Sequence, residues 1–197
     1  MEGYPFSTHN DGYLLFVGRL CEEKGPHFAI EVAKRLNLPL ILAAKLEEGA
    51  SRSYFEKMIK PHLSDTIRWI GEVTERERNH LFSRALCSLH PVTWPEPFGL
   101  TLIESMACGT PVVAFNQGAI PEVIKHGETG FVVSTVDEMV NAVSRITKVK
   151  RNVCRNHALL HFSAQRMVDN YELVYDAIVG ADRFNQAFLG VQPKTFL

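Results

Sequence analysis

No stretch of the 197-residue chain approaches the roughly 20 consecutive apolar residues that a membrane-spanning helix requires. The N-terminus, Met1 to Gly12, is polar and lacks the apolar core of a secretory signal. The four cysteines, Cys21, Cys87, Cys108 and Cys154, are far apart and form no Cys-x-x-Cys pair. That spacing argues against a zinc knuckle or a disulfide frame. No Asn-x-Ser/Thr sequon occurs, and a reducing, cytoplasmic setting is expected. Excess charge is missing too: 21 basic residues face 22 acidic ones, a net charge of −1. No nucleic-acid partner is expected, since bulk positive charge is what holds a protein to that polyanion. A small local basic site stays open. Two common nucleotide fingerprints are absent as well. There is no Gly-x-Gly-x-x-Gly, and Gly25 follows Lys24 where a P-loop needs Gly-Lys-Ser/Thr.

What is present is an ordinary globular composition, 46% hydrophobic with 13 Gly and 10 Pro. A chain of this size buries a core without disulfides or metal. Apolar runs and helical stripes alternate six times. Tyr13 to Val17, Leu38 to Ala44, Ile67 to Ile70, Cys87 to His90, Val112 to Phe115 and Phe131 to Val133 read as strands. The first is continuous enough to be buried on both faces. Gly25-Pro26 opens a helix striped by Phe28, Ala29, Val32, Ala33 and Leu36. A short helix covers Ser51 to Lys60. The capping box Thr74-x-x-Glu77 starts a third, and a fourth runs from near Gly99 to Gly109. A short one begins at Pro121, and a second capping box, Thr135-x-x-Glu138, starts the next. A last helix carries Met167, Val168, Tyr171, Val174, Tyr175 and Ile178 on one face and ends at Gly180.

Such alternation predicts a single α/β domain, Rossmann-like, with about six parallel strands and helices on both faces. Residues 1–12 read as a linker-like segment, 13–180 as the domain and 181–197 as a tail without period. Ligands on such sheets bind beyond the carboxyl ends of the strands. The loops after Gly18, Ile70, His90 and Phe115 therefore matter most.

Two loops carry chemistry. Gly18 would let a ligand approach the backbone, and Arg19 and Lys24 place two cations beside a helix N-terminus, a favourable place for phosphate. The plain alternative is a pair of solvated surface charges. The second segment, Trp94 to Glu104, is sharper. Glu96 lies in the loop and Glu104 on the helix behind it, with free amides near Gly99, Leu100 and Thr101 between them. A carboxylate can accept hydrogen bonds from two vicinal hydroxyls, so Glu96 fits a sugar and Glu104 a ribose. The alternative is a pair of acidic residues that favour the helix dipole. A buried Glu104 without compensation would be costly, however, among Ile103, Met106 and Ala107.

The run Glu96-Pro97-Phe98-Gly99-Leu100-Thr101-Leu102-Ile103-Glu104, followed by Met106-Ala107-Cys108-Gly109-Thr110-Pro111, resembles the Glu-x7-Glu motif of retaining GT-B glycosyltransferases of family 4. Phe16-Val17-Gly18-Arg19 with Glu23-Lys24-Gly25 is similar to that family's first strand and phosphate loop. Gly118-Ala119-Ile120-Pro121-Glu122 resembles a later signature. The likeness spans about Tyr13 to Gly180. It implies the C-terminal, donor-binding half of a two-domain enzyme, with a nucleoside-diphosphate sugar as substrate and no metal. By position, it puts Arg19 and Lys24 at the diphosphate, and Glu96 at the sugar. The Gly99 and Leu100 amides would reach sugar or phosphate, with Gly18, Phe98 and Thr101 in the same donor-binding stretch. Glu104 would hold the ribose, and Val73 would offer backbone to the base. Gly118 and Ala119 would add amides near the sugar. Glu96, Arg19 and Lys24 are the expected catalytic set. The family's amino-terminal half, with the acceptor pocket, lies outside the match. An excised domain, a stand-alone donor-binding subunit and half of a split enzyme are all open, and a partner half is expected in cis or in trans. The rival classes are a non-catalytic nucleotide-sugar sensor and an oxidoreductase module.

Other residues read plainly. His90 precedes the active loop and could face the site. Cys108 belongs to a small-residue packing segment. Trp94 could cover the ligand or pack on the loop prolines. The basic stretch Lys148, Lys150, Arg151 and Arg155 reads as a solvated helix face, with peripheral contact to a membrane surface as the lesser alternative.

Overall fold

A computed structural model describes residues 3–189, with side chains described as far as residue 180. The chain separates into two compact units, Met1–Leu159 and Leu160–Leu197. The first holds a six-stranded, all-parallel sheet in the order β3-β2-β1-β4-β5-β6. The strands are β1 (Leu14–Arg19), β2 (Leu40–Lys45), β3 (Ile67–Gly71), β4 (Cys87–His90), β5 (Val112–Phe115) and β6 (Gly130–Val133). The expected fold class is the observed one.

The helices are α1 (Pro26–Leu36), α2 (Ala50–Tyr54), α3 (Glu75–Arg84), α4 (Leu100–Ala107), α5 (Ile120–Val123), α6 (Val136–Ser144), α7 (Arg151–Phe162) and α8 (Ala164–Leu189). α1 and α6 pack together, as do α3 and α4. Leu15, Ile41 and Ala43 of the sheet meet Phe82 of α3, with Ala85 and Cys108, in one buried cluster. Phe28 of α1 meets Phe115 of β5 edge-on, with ring centroids 5.5 Å apart. Thr74 and Glu77 form the reciprocal capping box expected of them. At α6 the box is offset: Thr135 accepts from the Glu138 amide, while the Glu138 carboxylate bonds the amide of Ser134.

The sheet order places the switch point between β1 and β4, where the crossovers diverge to opposite sides. These strands share only two register pairs, Leu14 with Cys87 and Leu15 with Ser88. β1 and β2, by contrast, stay in register over six. Beyond Leu15 and Ser88 the central strands part, and a crevice opens.

In the second unit, α8 runs past Gly180, the expected stop, to Leu189. A glycine costs a helix only about 1 kcal/mol and need not end it, and an added Cβ at Gly180 would meet nothing within 4 Å. Met167, Val168, Tyr171, Val174, Tyr175 and Ile178 are all exposed. The rest of the expected tail, 190–197, lies outside the described residues.

Candidate functional site

The crevice between β1 and β4 is a cleft of about 330 Å³. Phe16, Val17 and Gly18 line it from β1 and its end, with Lys24, His90 and Val92 beside them. Glu96, Pro97, Phe98, Gly99, Leu100 and Thr101 complete the wall. Seven of the twelve residues given a donor-side role from the sequence therefore share one cavity: Gly18, Lys24, Glu96, Phe98, Gly99, Leu100 and Thr101.

Lys24 ends a single 3-10 turn, Glu22–Lys24, just before α1. Its ammonium donates to Glu96 Oε2 at 2.6 Å, and both side chains are about four-fifths buried. The Trp94 indole N–H donates to the same oxygen at 3.2 Å. Lys24 Nζ also sits 4.8 Å from the centre of the Trp94 ring, within reach of a cation–π attraction. The loop carrying Glu96 is held at both ends. The Thr93 amide bonds Glu23 O at 2.9 Å, and the Ala119 amide bonds Glu96 O at 2.8 Å. Gly118 permits the second contact: a Cβ there would lie 2.2 Å from Glu96 O. The Ala119 amide, expected to face a sugar, is thus already engaged by the Glu96 carbonyl.

α4 starts from Gly99, which has no side chain to cap it. The first-turn amides of Leu100 and Thr101 have no intrahelical partner by construction, and both residues line the cleft at the positive end of the helix dipole. Lys24 and these amides make one corner that suits an anion. Glu96 beside it can accept hydroxyl hydrogens.

Arg19, Val73 and Glu104 lie outside the cleft lining. The Arg19 guanidinium is half-exposed and pairs with Glu23 at 3.4 Å and Glu47 at 3.5 Å. Val73, after β3, packs on the cluster around Leu15 and Phe82. Glu104 Oε1 accepts from Arg78 Nη2 at 2.9 Å. Its Oε2 and the Arg78 Nε are buried without a hydrogen-bond partner among the described residues. Burial pushes the Glu104 carboxyl above its ordinary range; Arg78 opposes that rise and Glu75 adds to it. The cost foreseen for a buried Glu104 is thus offset in part by Arg78. Sequence reasoning passed over Arg78 because α3 reads as a polar helix with many charges.

His90, at the end of β4, does face the cleft. It is 5% exposed, and its Nε2 is among the buried atoms without a partner. Burial, aided by nearby Lys24, pushes its pKa down to about 3, so the ring is neutral at pH 7.

The basic stretch needs correction. Arg151 and Arg155 are not on a solvated face. Arg151 donates to the carbonyls of Ser7, Ser83 and Ala85 and to the Thr110 hydroxyl, all within 2.8 Å. Arg155 donates to Tyr4 O at 2.9 Å and Ala107 O at 2.5 Å. These cations satisfy carbonyls at the C-terminal ends of α3 and α4, where positive charge is favoured. Among the described residues, no cluster of three or more His, Cys, Asp or Glu could hold a metal, and no helix is long and apolar enough to cross a membrane. All four cysteines are free and buried.

A family model described as glycosyl transferases group 1 matches residues 5–159. Glycogen synthase of Mycobacterium tuberculosis is 35% identical over 120 residues, covering 59% of this chain and 29% of that one. Sucrose-phosphate synthase of Thermosynechococcus elongatus superposes with a TM-score of 0.74 at 24% identity, over 87% of this chain and 46% of that one. Anabaena HepE, solved with UDP and glucose, superposes at 0.69 with 23% identity, over 82% and 48%. The chain spans about half the length, or less, of the curated relatives it matches.

Proposed function

Because the chain belongs to the glycosyl transferases group 1 family, we propose that its β1/β4 cleft binds a nucleoside-diphosphate sugar for retaining transfer of the glycosyl group. The observation that carries this reading is the convergence of Lys24, the uncapped start of α4 and Glu96 in one cavity. Lys24 and the Leu100 and Thr101 amides hold the diphosphate, and Glu96 holds the sugar hydroxyls. Arg19 swings from Glu23 and Glu47 to the phosphates, Glu104 takes the ribose once its buried, unbonded oxygen is uncovered, and backbone at Val73 meets the base.

In the reaction the anomeric C–O bond breaks and its electron pair leaves with the diphosphate. The cation and the amides stabilise the growing charge, and no metal is needed. The acceptor hydroxyl attacks from the leaving-group face, and its proton passes to the departing phosphate oxygen. Glu96 supports positive charge at the sugar ring without becoming a nucleophile. The acceptor wall comes from an amino-terminal half in cis or in trans, a reading supported by the greater length of the relatives.

Calorimetry with UDP, GDP and ADP in the presence of EDTA tests this. Binding of at least one is expected at about 0.1–1 mM, the weak range for a cleft with one wall. Silence from all three at millimolar ligand sinks the proposal. Glycosyl transfer with and without a candidate amino-terminal partner then separates a half-enzyme from a sensor.

A further inference from the structure

We propose that Trp94 is a positioning residue for the sugar end of the donor: its indole holds one oxygen of Glu96 and covers Lys24, so that the other oxygen of Glu96 serves the sugar. The proposal rests on the donor-binding reading above and deepens it. Trp94 itself is not in the cleft lining. It touches both members of the pair that is.

Three contacts close on one another. Lys24 Nζ reaches Glu96 Oε2 at 2.6 Å, Trp94 Nε1 reaches the same oxygen at 3.2 Å, and Lys24 Nζ lies over the Trp94 ring at 4.8 Å. Both donors fall on Oε2, and no described residue donates to Oε1. A carboxylate held through one oxygen by two donors cannot rotate freely, and its remaining oxygen keeps a fixed direction. That direction would select among hydroxyl arrangements, because a hydrogen bond weakens steeply when misaligned. A diphosphate that draws Lys24 away removes the first donor. The indole N–H then remains as the anchor of Glu96 while the sugar is bound. The ring face also shields the cation from water on one side, which strengthens its attraction for phosphate. A 37% exposed indole in a loop with Pro95 and Pro97 could otherwise serve only to pack that loop.

The test compares wild type, Trp94→Phe and Trp94→Ala in titrations with UDP and UDP-glucose, with the GDP and ADP pairs run alongside. Trp94→Phe keeps an aromatic face and removes the N–H. For whichever pair binds, it is expected to leave the diphosphate within twofold of wild type. It should weaken the diphosphate sugar by about five- to tenfold, the scale of a lost charge-assisted hydrogen bond acting indirectly. Only two tryptophans are present, and Trp69 is engaged elsewhere, its N–H donating to Ala44 O. The diphosphate should therefore change an indole emission that Trp94→Phe abolishes, as Lys24 leaves the ring. Trp94→Ala should add a loss for the diphosphate alone. Equal weakening of both ligands by Trp94→Phe means loop packing only and overturns the proposal, and so does no weakening of either. A wild type that binds none of these ligands overturns the donor-binding reading as well, so the two failures are told apart.

Discussion

Lys24 and Glu96, 72 positions apart in sequence, share a 2.6 Å ion pair in the lining of the β1/β4 cleft. The cation proposed for the diphosphate is thus neutralised by the carboxylate proposed for the sugar. A diphosphate must compete with Glu96 for Lys24.

Glu96→Gln should therefore have opposite effects on two ligands. It frees Lys24 and tightens the diphosphate alone, by about threefold to tenfold, or roughly 1 kcal/mol. It removes the acceptor for sugar hydroxyls and weakens the diphosphate sugar by about 1.5–3 kcal/mol. Calorimetry with both ligands reads the signs, and a loss for both contradicts the competition.

Arg78→Met should make nucleotide binding sensitive to acid. Burial already raises the Glu104 carboxyl, and Arg78 is what opposes that rise. Without the guanidinium the pKa climbs further, so the carboxylate is lost at a higher pH. Affinity measured from pH 8 down to pH 5 should begin to fall earlier in the variant than in wild type. Superimposable profiles would show that Glu104 does not meet the nucleotide as a carboxylate.

His90 should write itself into the pH dependence of stability. Its folded pKa is held down to about 3, against the ordinary 6.5. Between these values the unfolded chain binds a proton that the folded chain does not, so stability falls as pH is lowered from 6.5 towards 3. The slope from this one group is at most about 1.4 kcal/mol per pH unit. Urea unfolding of His90→Gln should show a flatter fall over that window, and an unchanged slope refutes the assignment.

Gly118→Ala should unseat the Glu96 loop. Its φ is +55°, and the added Cβ would sit 2.2 Å from Glu96 O. Strain and overlap together cost about 2–4 kcal/mol, with diphosphate-sugar affinity lost beyond that of the diphosphate. Gly127→Ala is the control. Its φ is +83° but nothing lies within 4 Å of the added Cβ, so it should lose only about 1 kcal/mol, by strain, and no ligand affinity. Equal effects of the two substitutions would show that the close approach to Glu96 does not matter.

Much of the fold was readable because it is written locally. β4 and β5 begin and end where their apolar runs do, and the Thr74 capping box forms as its spacing requires. α7 was not readable. Its buried residues are only Cys154, His157 and Ala158, too small and polar a stripe to signal a packed face, and its arginines look like surface charge. Only contacts distant in sequence show that Arg151 and Arg155 serve backbone carbonyls. The site divides in the same way. Its loops were legible from strand ends and from the run Glu96 to Glu104. The pairing of Lys24 with Glu96 and of Arg78 with Glu104 was not, since each joins elements that only the sheet order brings together.

The short pairing between β1 and β4 has a mechanical meaning. The sheet is two three-stranded leaves, stitched by two register pairs at the bottom of the crevice. Higher up, the leaves are tied by the Thr93–Glu23 backbone bond and the Lys24–Glu96 pair. The cleft is the molecule's own seam. Anything that grips Lys24 on one leaf and the α4 amides on the other acts as an extra stitch across it. Opening of that seam, rather than fraying at the outer strands, is the motion a bound ligand suppresses, and the amides of β1 and β4 are where the added resistance is felt.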